Sequence, residues 1–328
     1  MLTSRVTSKV LKVLRGNSGI SHKSLGQHFP IPHCPSILDI QQEQMSGSII
    51  KSNPPSRLQH YYTSLETRIG YWALLGRTRH FGYYEPGTYS PFPIGTALRA
   101  MEEKLMRSLQ LQPGAKVLDA GCGAGHVAIY LAKKDYQVVA IDITGRHVED
   151  TERNIRLAGL SKSITVREMS YQNLEEFPNH FFEGLYTIET FVHSPDPGQA
   201  LAEFFRVLKP GGRVSLFEYE HSKVPSKFKR TFELMNEYAA MPTFAILEKG
   251  VLQAMLEKAG FQNVKVQDIS ANIVPMLRLF FLLAYLPLVF IRLLRCEKHF
   301  INALVGVEGY RARHAWSYIV VTAEKPKE

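Results

Sequence analysis

Three cysteines in 328 residues, Cys34, Cys122 and Cys296, are too few and too scattered for a disulfide framework, and none has a second Cys or a His at metal-ligand spacing. A reducing compartment is the default that follows, and no metal is expected. Nor does any stretch run in the charged, apolar, small-residue order of a secretory signal, because a base interrupts the apolar residues every three or four positions in the first fifteen. Acid is missing from residues 1–38, which carry five basic side chains (Arg5, Lys9, Lys12, Arg15, Lys23). Charge of one sign is otherwise scarce: residues 39–270 hold 26 basic and 26 acidic side chains, and residues 271–328 hold eight against four. The net charge of +9 therefore sits at the two ends, which points away from a nucleic-acid partner for the body of the chain. At 45% hydrophobic and 21% charged, disorder and collagen are excluded as the main architecture.

Leu2, Val6, Val10, Val13 and Leu14 recur at helical spacing with bases on the flank, an amphipathic basic helix that Gly16 to Gly19 ends. Residues 1–55 read as a flexible basic leader. Mitochondrial targeting and a tail that touches anionic lipid weakly are both open, so the expected location is intracellular, either cytoplasmic or membrane-associated. Residues 56–110 form an aromatic-rich helical cap. From residue 111 the chain alternates Val- and Ile-rich runs with helical patterns. Strands are expected at 116–119, 137–142, 163–168, 182–189, 213–219, 264–269 and 316–322. Helices are expected at 126–134, 146–158, 198–208 and 249–259. Strict alternation predicts an α/β fold, a doubly wound and mostly parallel seven-stranded sheet, with its α/β core at 111–270. Functional residues should follow the carboxyl ends of its strands.

After the first strand comes Asp119-Ala120-Gly121-Cys122-Gly123-Ala124-Gly125-His126. Glycines there let backbone N–H groups approach a ligand at a helix N-terminus. A dinucleotide fingerprint would place its third glycine at 126, where this chain has His126. Nineteen residues after Gly123, the second strand ends in Asp142, which suits either a ribose or a helix cap. Leu208-Lys209-Pro210-Gly211-Gly212 ends a helix and reverses the chain. Together these features resemble the class I S-adenosylmethionine-dependent methyltransferases over roughly residues 57–326, a fold whose last strand is antiparallel.

The resemblance implies that Asp119, Gly121 and Gly123 hold the methionine part of S-adenosylmethionine and Asp142 its ribose. Many relatives carry an Asp that meets adenine where this chain has Ser170, so Ser170, Tyr171 or Gln172 is left to make that contact. Tyr186 to Pro197, with Glu189 and His193, looks like a segment of sterol C-methyltransferases and of the wider quinone methyltransferase group. Glu189 and His193 are the candidate acid-base or positioning groups; lining the loop and hydrogen-bonding backbone are the plainer roles. The run from His80 to Gly87 resembles the segment that closes over the site in sterol and tocopherol methyltransferases, which makes Tyr83 and Tyr84 candidate catalytic residues. Tyr61, Tyr62, Tyr71, Trp72, His80, Phe81 and Tyr89 crowd the same region, most of them as packing.

Residues 279–291 are uncharged, with Arg278 before them and Arg292 and Arg295 after. Thirteen helical residues span about 20 Å, short of the roughly 30 Å hydrocarbon core. Both ends of the insertion at 271–312 must return to one sheet edge for the last strand and tail (313–328) to pair, which excludes a single crossing. Segment 273–295 is expected to be a lid that dips into the membrane interface, a buried helix or a dimer contact. The reading is in-line methyl transfer to a hydrophobic acceptor that is sterol-like, prenylated or polyketide-derived. O- or N-methylation of a smaller metabolite with His193 as base, and a non-catalytic cofactor-binding scaffold, are the alternatives.

Overall fold

The computed structural model describes Leu58, Tyr61, Tyr62, Leu75, Gly76 and residues 78–327. The basic leader, Tyr71 and Trp72 lie outside these residues. Seven strands form one sheet: β1 (Lys116–Ala120), β2 (Gln137–Asp142), β3 (Ile164–Glu168), β4 (Phe182–Ile188), β5 (Leu208–His221), β6 (Gln262–Asp268) and β7 (Trp316–Glu324). Their order is β3-β2-β1-β4-β5-β7-β6. Pairings from β3 through β5 are parallel, and β7 runs antiparallel to both β5 and β6. Strand order reverses between β1 and β4, so the crevice beyond their carboxyl ends is where such a sheet takes a ligand.

The helices are α1 (Ile94–Leu109), α2 (His126–Ala132), α3 (Gly145–Ala158), α4 (Pro197–Val207), α5 (Ser226–Tyr238), α6 (Val251–Lys258), α7 (Ser270–Leu293) and α8 (Ile301–Arg311). Alternating residues on each strand feed two cores. Val117 and Tyr186 face α1, α2 and α3 through Met101, Leu105, Val127 and Ile155. Leu118 and Leu185 face α4, α5 and α6 through Leu201, Phe204, Phe232 and Leu256. Pro197 opens α4, and the Asp196 carboxylate caps it by accepting the Gln199 N–H at 2.9 Å.

Two elements are longer than sequence patterning predicts. Strand β5 starts at Leu208, upstream of the expected Arg213, because Leu208 pairs with Phe182 across an irregularity and the Gly211 N–H bonds the Lys325 carbonyl at 2.9 Å. The turn is thus held inside the sheet. Helix α7 runs 24 residues through Pro275 and Pro287, about 36 Å at the helical rise. Its length and apolarity would suit a membrane span, yet it is anchored at both ends of the molecule's edge hairpin. It leaves β6, and the chain returns by α8 to β7. Its first turns are buried at Ile273, Met276 and Leu277, whereas Leu282, Leu286, Phe290 and Leu293 are exposed.

Candidate cofactor and substrate cavity

A cavity of about 190 Å³ opens beyond the carboxyl ends of β1, β2 and β4. Its floor is the turn between β1 and α2. There Gly121, Gly123 and Gly125 adopt φ of +105°, +55° and +77°. A Cβ on Gly121 would stand 2.4 Å from Thr190 Oγ1, and one on Gly123 3.1 Å from Arg79 Cδ, so the turn is a cradle that only glycine leaves open. Both the Gly121 and Cys122 N–H groups bond the Ile141 carbonyl at 2.9 Å, which seats the turn against β2.

Asp142 closes this side. Its Oδ2 accepts the Gly123 N–H at 3.0 Å and its Oδ1 the Thr144 N–H at 2.9 Å, with His147 Nδ1 3.1 Å away. Burial pushes its pKa up, but the His147 interaction and the two backbone donors outweigh that and hold it below the usual carboxylate value. Asp142 thus ties the glycine turn to the start of α3 at the cavity wall. Asp119, at the end of β1, is the opposite case. Burial first, and the nearby Asp142 charge, raise it to about 7 against the Tyr186 hydroxyl, and its buried Oδ2 has no partner in good hydrogen-bond geometry. An orphaned acceptor beside a glycine cradle fits the ammonium and backbone-like atoms of a methionyl group. Ser170 and Tyr171 both line the cavity after β3, with Gln172 beside them. The Tyr171 hydroxyl donates to the Thr190 carbonyl at 3.1 Å, and Ser170 Oγ accepts the Gln172 N–H at 3.2 Å.

On the β4 side, Glu189 has a positive φ of 53° that turns its side chain back into the protein. Its carboxyl accepts the Phe81 N–H at 2.7 Å, the Tyr318 hydroxyl at 2.9 Å and the Tyr219 hydroxyl. Burial raises it to about 7 against those donors. Glu218 lies behind it on β5, raised to about 8 by burial and by the Glu189 charge. Its Oε1 accepts the Thr190 and Phe191 N–H groups at 2.9 and 2.6 Å, fixing the turn that carries His193. His193 Nδ1 is 2.8 Å from the Ala240 carbonyl, which can only accept, so Nδ1 holds the proton. Its Nε2 then accepts from the Tyr62 hydroxyl at 3.1 Å, and burial lowers its pKa.

Eight of the ten residues singled out in the sequence therefore meet at this cavity: Asp119, Gly121, Gly123, Asp142, Ser170, Tyr171, Glu189 and His193. Tyr83 and Tyr84 do not line it. Tyr84 is buried among Leu75, Ala97, Leu98 and Met276, its hydroxyl donating to the Pro91 carbonyl at 2.9 Å. Tyr83 packs under Lys104, on the side of the sheet facing α1. Residues 80–84 reach the site instead through their backbone, at the Phe81 N–H, and through His80.

Sequence reasoning missed Arg79, His147 and Glu218, and took His80 only as one ring among many. Arg79 is the single Arg or Lys on the described cavity wall, its guanidinium 4.9 Å from the Tyr62 ring centre. His80, lowered to about 4 by burial, is neutral and bonds the Phe81 carbonyl through Nδ1 at 2.9 Å. The His147 Nε2 is buried without a partner. Two signals were readable: a histidine in the first turn after the acid ending β2, and an acid inside the apolar run of β5.

Residues 118–216 match the model of a methyltransferase domain. The chain is 43% identical over 276 residues to the S-adenosyl-L-methionine-dependent Diels-Alderase iccD of Talaromyces variabilis, covering 82% of this chain and 94% of that protein. It is 41% identical over 223 residues to the Diels-Alderase iliD of Neonectria sp. (strain DH2), which carries the same cofactor in its name, covering 66% and 86% of the two chains. Among solved structures, the [4+2]-cyclase SpnF superposes with a TM-score of 0.66 at 20% identity, over 86% of this chain and all of that one, a likeness of fold. With this sheet order, this glycine cradle and these relatives, the chain belongs to the class I S-adenosylmethionine-dependent methyltransferase family, with S-adenosylmethionine as its cofactor.

Proposed function

We propose that the protein catalyses an intramolecular [4+2] cycloaddition on a hydrophobic polyene, using the methyltransferase cavity without transferring the methyl group. The observation that carries this reading is the 43% identity along 94% of a protein named as a Diels-Alderase, a length that includes both flanks of the shared domain. The bound cofactor supplies a fixed positive charge and, in relatives that use it so, an activated methyl group.

Cycloaddition turns the three π bonds of a diene and an alkene within one molecule into two C–C σ bonds and one new C=C bond, with no atom gained or lost. It needs the two halves held within reacting distance in the reactive conformation. Burial raises Asp119, Glu189 and Glu218 above the usual carboxylate value, and Glu189 and Glu218 are taken up by hydrogen bonds from the protein itself. Asp119, Gly121, Gly123 and Arg79 are assigned to the methionine end of the cofactor, Asp142 with His147 to the ribose, and Ser170 with Tyr171 to the adenine. Glu189 and Glu218 act as positioning residues that lock the segments carrying Phe81 and His193. Tyr62, aimed by His193, faces the substrate.

Methyl transfer to an oxygen or nitrogen is the second reading, favoured by one observation: a neutral imidazole presents its lone-pair Nε2 to a cavity hydroxyl, as a general base would. Metabolite profiling of the host with and without the gene separates the two. Cycloaddition predicts that the deletion strain accumulates an isomer of the lost product, of equal mass. A precursor lighter by one methylene would instead establish methyl transfer, and an unchanged profile would favour a non-catalytic scaffold.

A further inference from the structure

Helix α7 is buried for its first turns and bare for its last three. Leu282, Leu286, Val289, Phe290, Leu293 and Leu294 are between 42% and 76% exposed. They recur at three- and four-residue steps, so they form one continuous apolar face about 18 Å long. The opposite side of the same turns is anchored: Leu288 and Ile291 pack on Ile301, Leu304 and Val307 of α8. The bare face is therefore held rigidly outward.

Beside it, between α5, α7 and α8, lies a groove of about 360 Å³ whose wall carries Arg230, Arg292, Arg295 and Tyr238 against one acid, Glu297. Arg292 also pairs with the buried Glu308 at 3.0 Å and Arg230 with Glu233 at 3.6 Å, while Arg295 has no ion-pair partner among the described residues. Over residues 271–313 the chain has six basic side chains and two acidic ones. An apolar face rimmed by guanidinium groups matches the boundary between acyl chains and lipid phosphates. A second protein copy would have to bring acids to this rim, and the chain carries its excess charge of the same positive sign here.

We infer that the carboxyl-terminal half of α7 docks on the surface of an anionic phospholipid bilayer, with lipid phosphates in the Arg230, Arg292 and Arg295 groove. The helix lies in the interface and does not span, because its first half is committed to the protein core. Two chains of contacts link α7 to residues at the cavity. Tyr61 joins the α7 and α8 cluster and donates to Asn302 Oδ1 at 2.8 Å, while its neighbour Tyr62 bonds His193. Phe280 of α7 touches Phe81, whose N–H holds Glu189. A hydrophobic substrate partitioned into the bilayer thus has a short route inward; this part of the inference rests on the hydrophobic-substrate reading above, and the docking itself does not.

Flotation of the full-length protein with vesicles of phosphatidylcholine alone, or of phosphatidylcholine mixed with phosphatidylglycerol, tests it. Binding is expected to the mixed vesicles only and to weaken with added salt. Arg295→Gln should weaken it about fivefold, and Leu286→Asp with Phe290→Asp by tenfold or more, while calorimetric cofactor binding stays unchanged. These side chains are exposed, so the variants should fold as the parent does. No flotation with mixed vesicles, equal binding to neutral ones, or a solution dimer that the Leu286→Asp and Phe290→Asp pair splits would each overturn the inference. Loss of cofactor binding in the parent protein would overturn the enzymatic reading and leave docking standing.

Discussion

Gly121 shows how little room the cofactor turn leaves. Its φ of +105° is costly for any side chain, and a Cβ would meet Thr190 Oγ1 at 2.4 Å. Gly121→Ala is expected to destabilise the protein by about 1–3 kcal/mol. It should also weaken cofactor binding at least tenfold, read by thermal melts and calorimetry; parent-like values in both would show that the turn is not the cofactor's seat. The buried carboxyls give a second prediction at this scale. Glu218 rises from 4.5 to about 8 and Glu189 from 4.5 to about 7 on folding. Between those values the native chain keeps protons that the unfolded chain has released. Their contribution is complete below about pH 4 and is lost as pH rises through 8. Urea denaturation should therefore show stability falling from pH 5 to pH 9. Glu218→Gln can still accept the Thr190 and Phe191 N–H groups and should flatten that slope; an unchanged slope would assign it elsewhere. These environments were not legible in the sequence. The run of β5 shows an acid among apolar residues, but not that Glu218 holds the Thr190 and Phe191 N–H groups or that Tyr219 reaches Glu189, because both facts depend on β5 lying beside β4.

Elements were read more fully than contacts. The Val- and Ile-rich strands, the glycine turn and Asp142 are local patterns, so seven strands stand near where the alternation put them, and the last is antiparallel as the family resemblance implied. The candidate site followed because strand ends converge by topology. Helix α5 went unread: Phe228 and Phe232 are its only buried residues, and its other apolar side chains, among them Leu234 and Tyr238, are partly exposed at the α8 side. Tyr83 and Tyr84 illustrate the reverse error, since a run of rings does not say which ring faces inward; the Phe81 N–H, a backbone group, is what touches Glu189. The α7 and α8 pair makes a prediction of its own. A Cβ on Gly306 would lie 3.2 Å from Ala284 Cβ and 3.3 Å from the Phe280 carbonyl, so the helices meet there backbone to backbone. Gly306→Val should cost about 1–3 kcal/mol in chemical denaturation through overpacking. No change would mean that the two helices are not closely docked.

At the scale of the molecule, the excess positive charge lies at the two ends of the sequence around a neutral stretch at 39–270, and the cavity opens beyond β1, β2 and β4 over the glycine turn. Such an arrangement can serve methyl transfer or cycloaddition with nearly the same residues, because both need a gathered hydrophobic substrate beside a sulfonium. What differs is the fate of the methyl group. The most direct test supplies the purified protein with S-adenosylmethionine carrying a deuterated methyl group, together with a hydrophobic extract from the host lacking the gene. Mass spectrometry then follows both product and cofactor. The account predicts a new isomer whose mass equals that of its precursor, with the label retained on intact cofactor and no stoichiometric S-adenosylhomocysteine. A product that gains the deuterated methyl group, with one S-adenosylhomocysteine released per turnover, would contradict it.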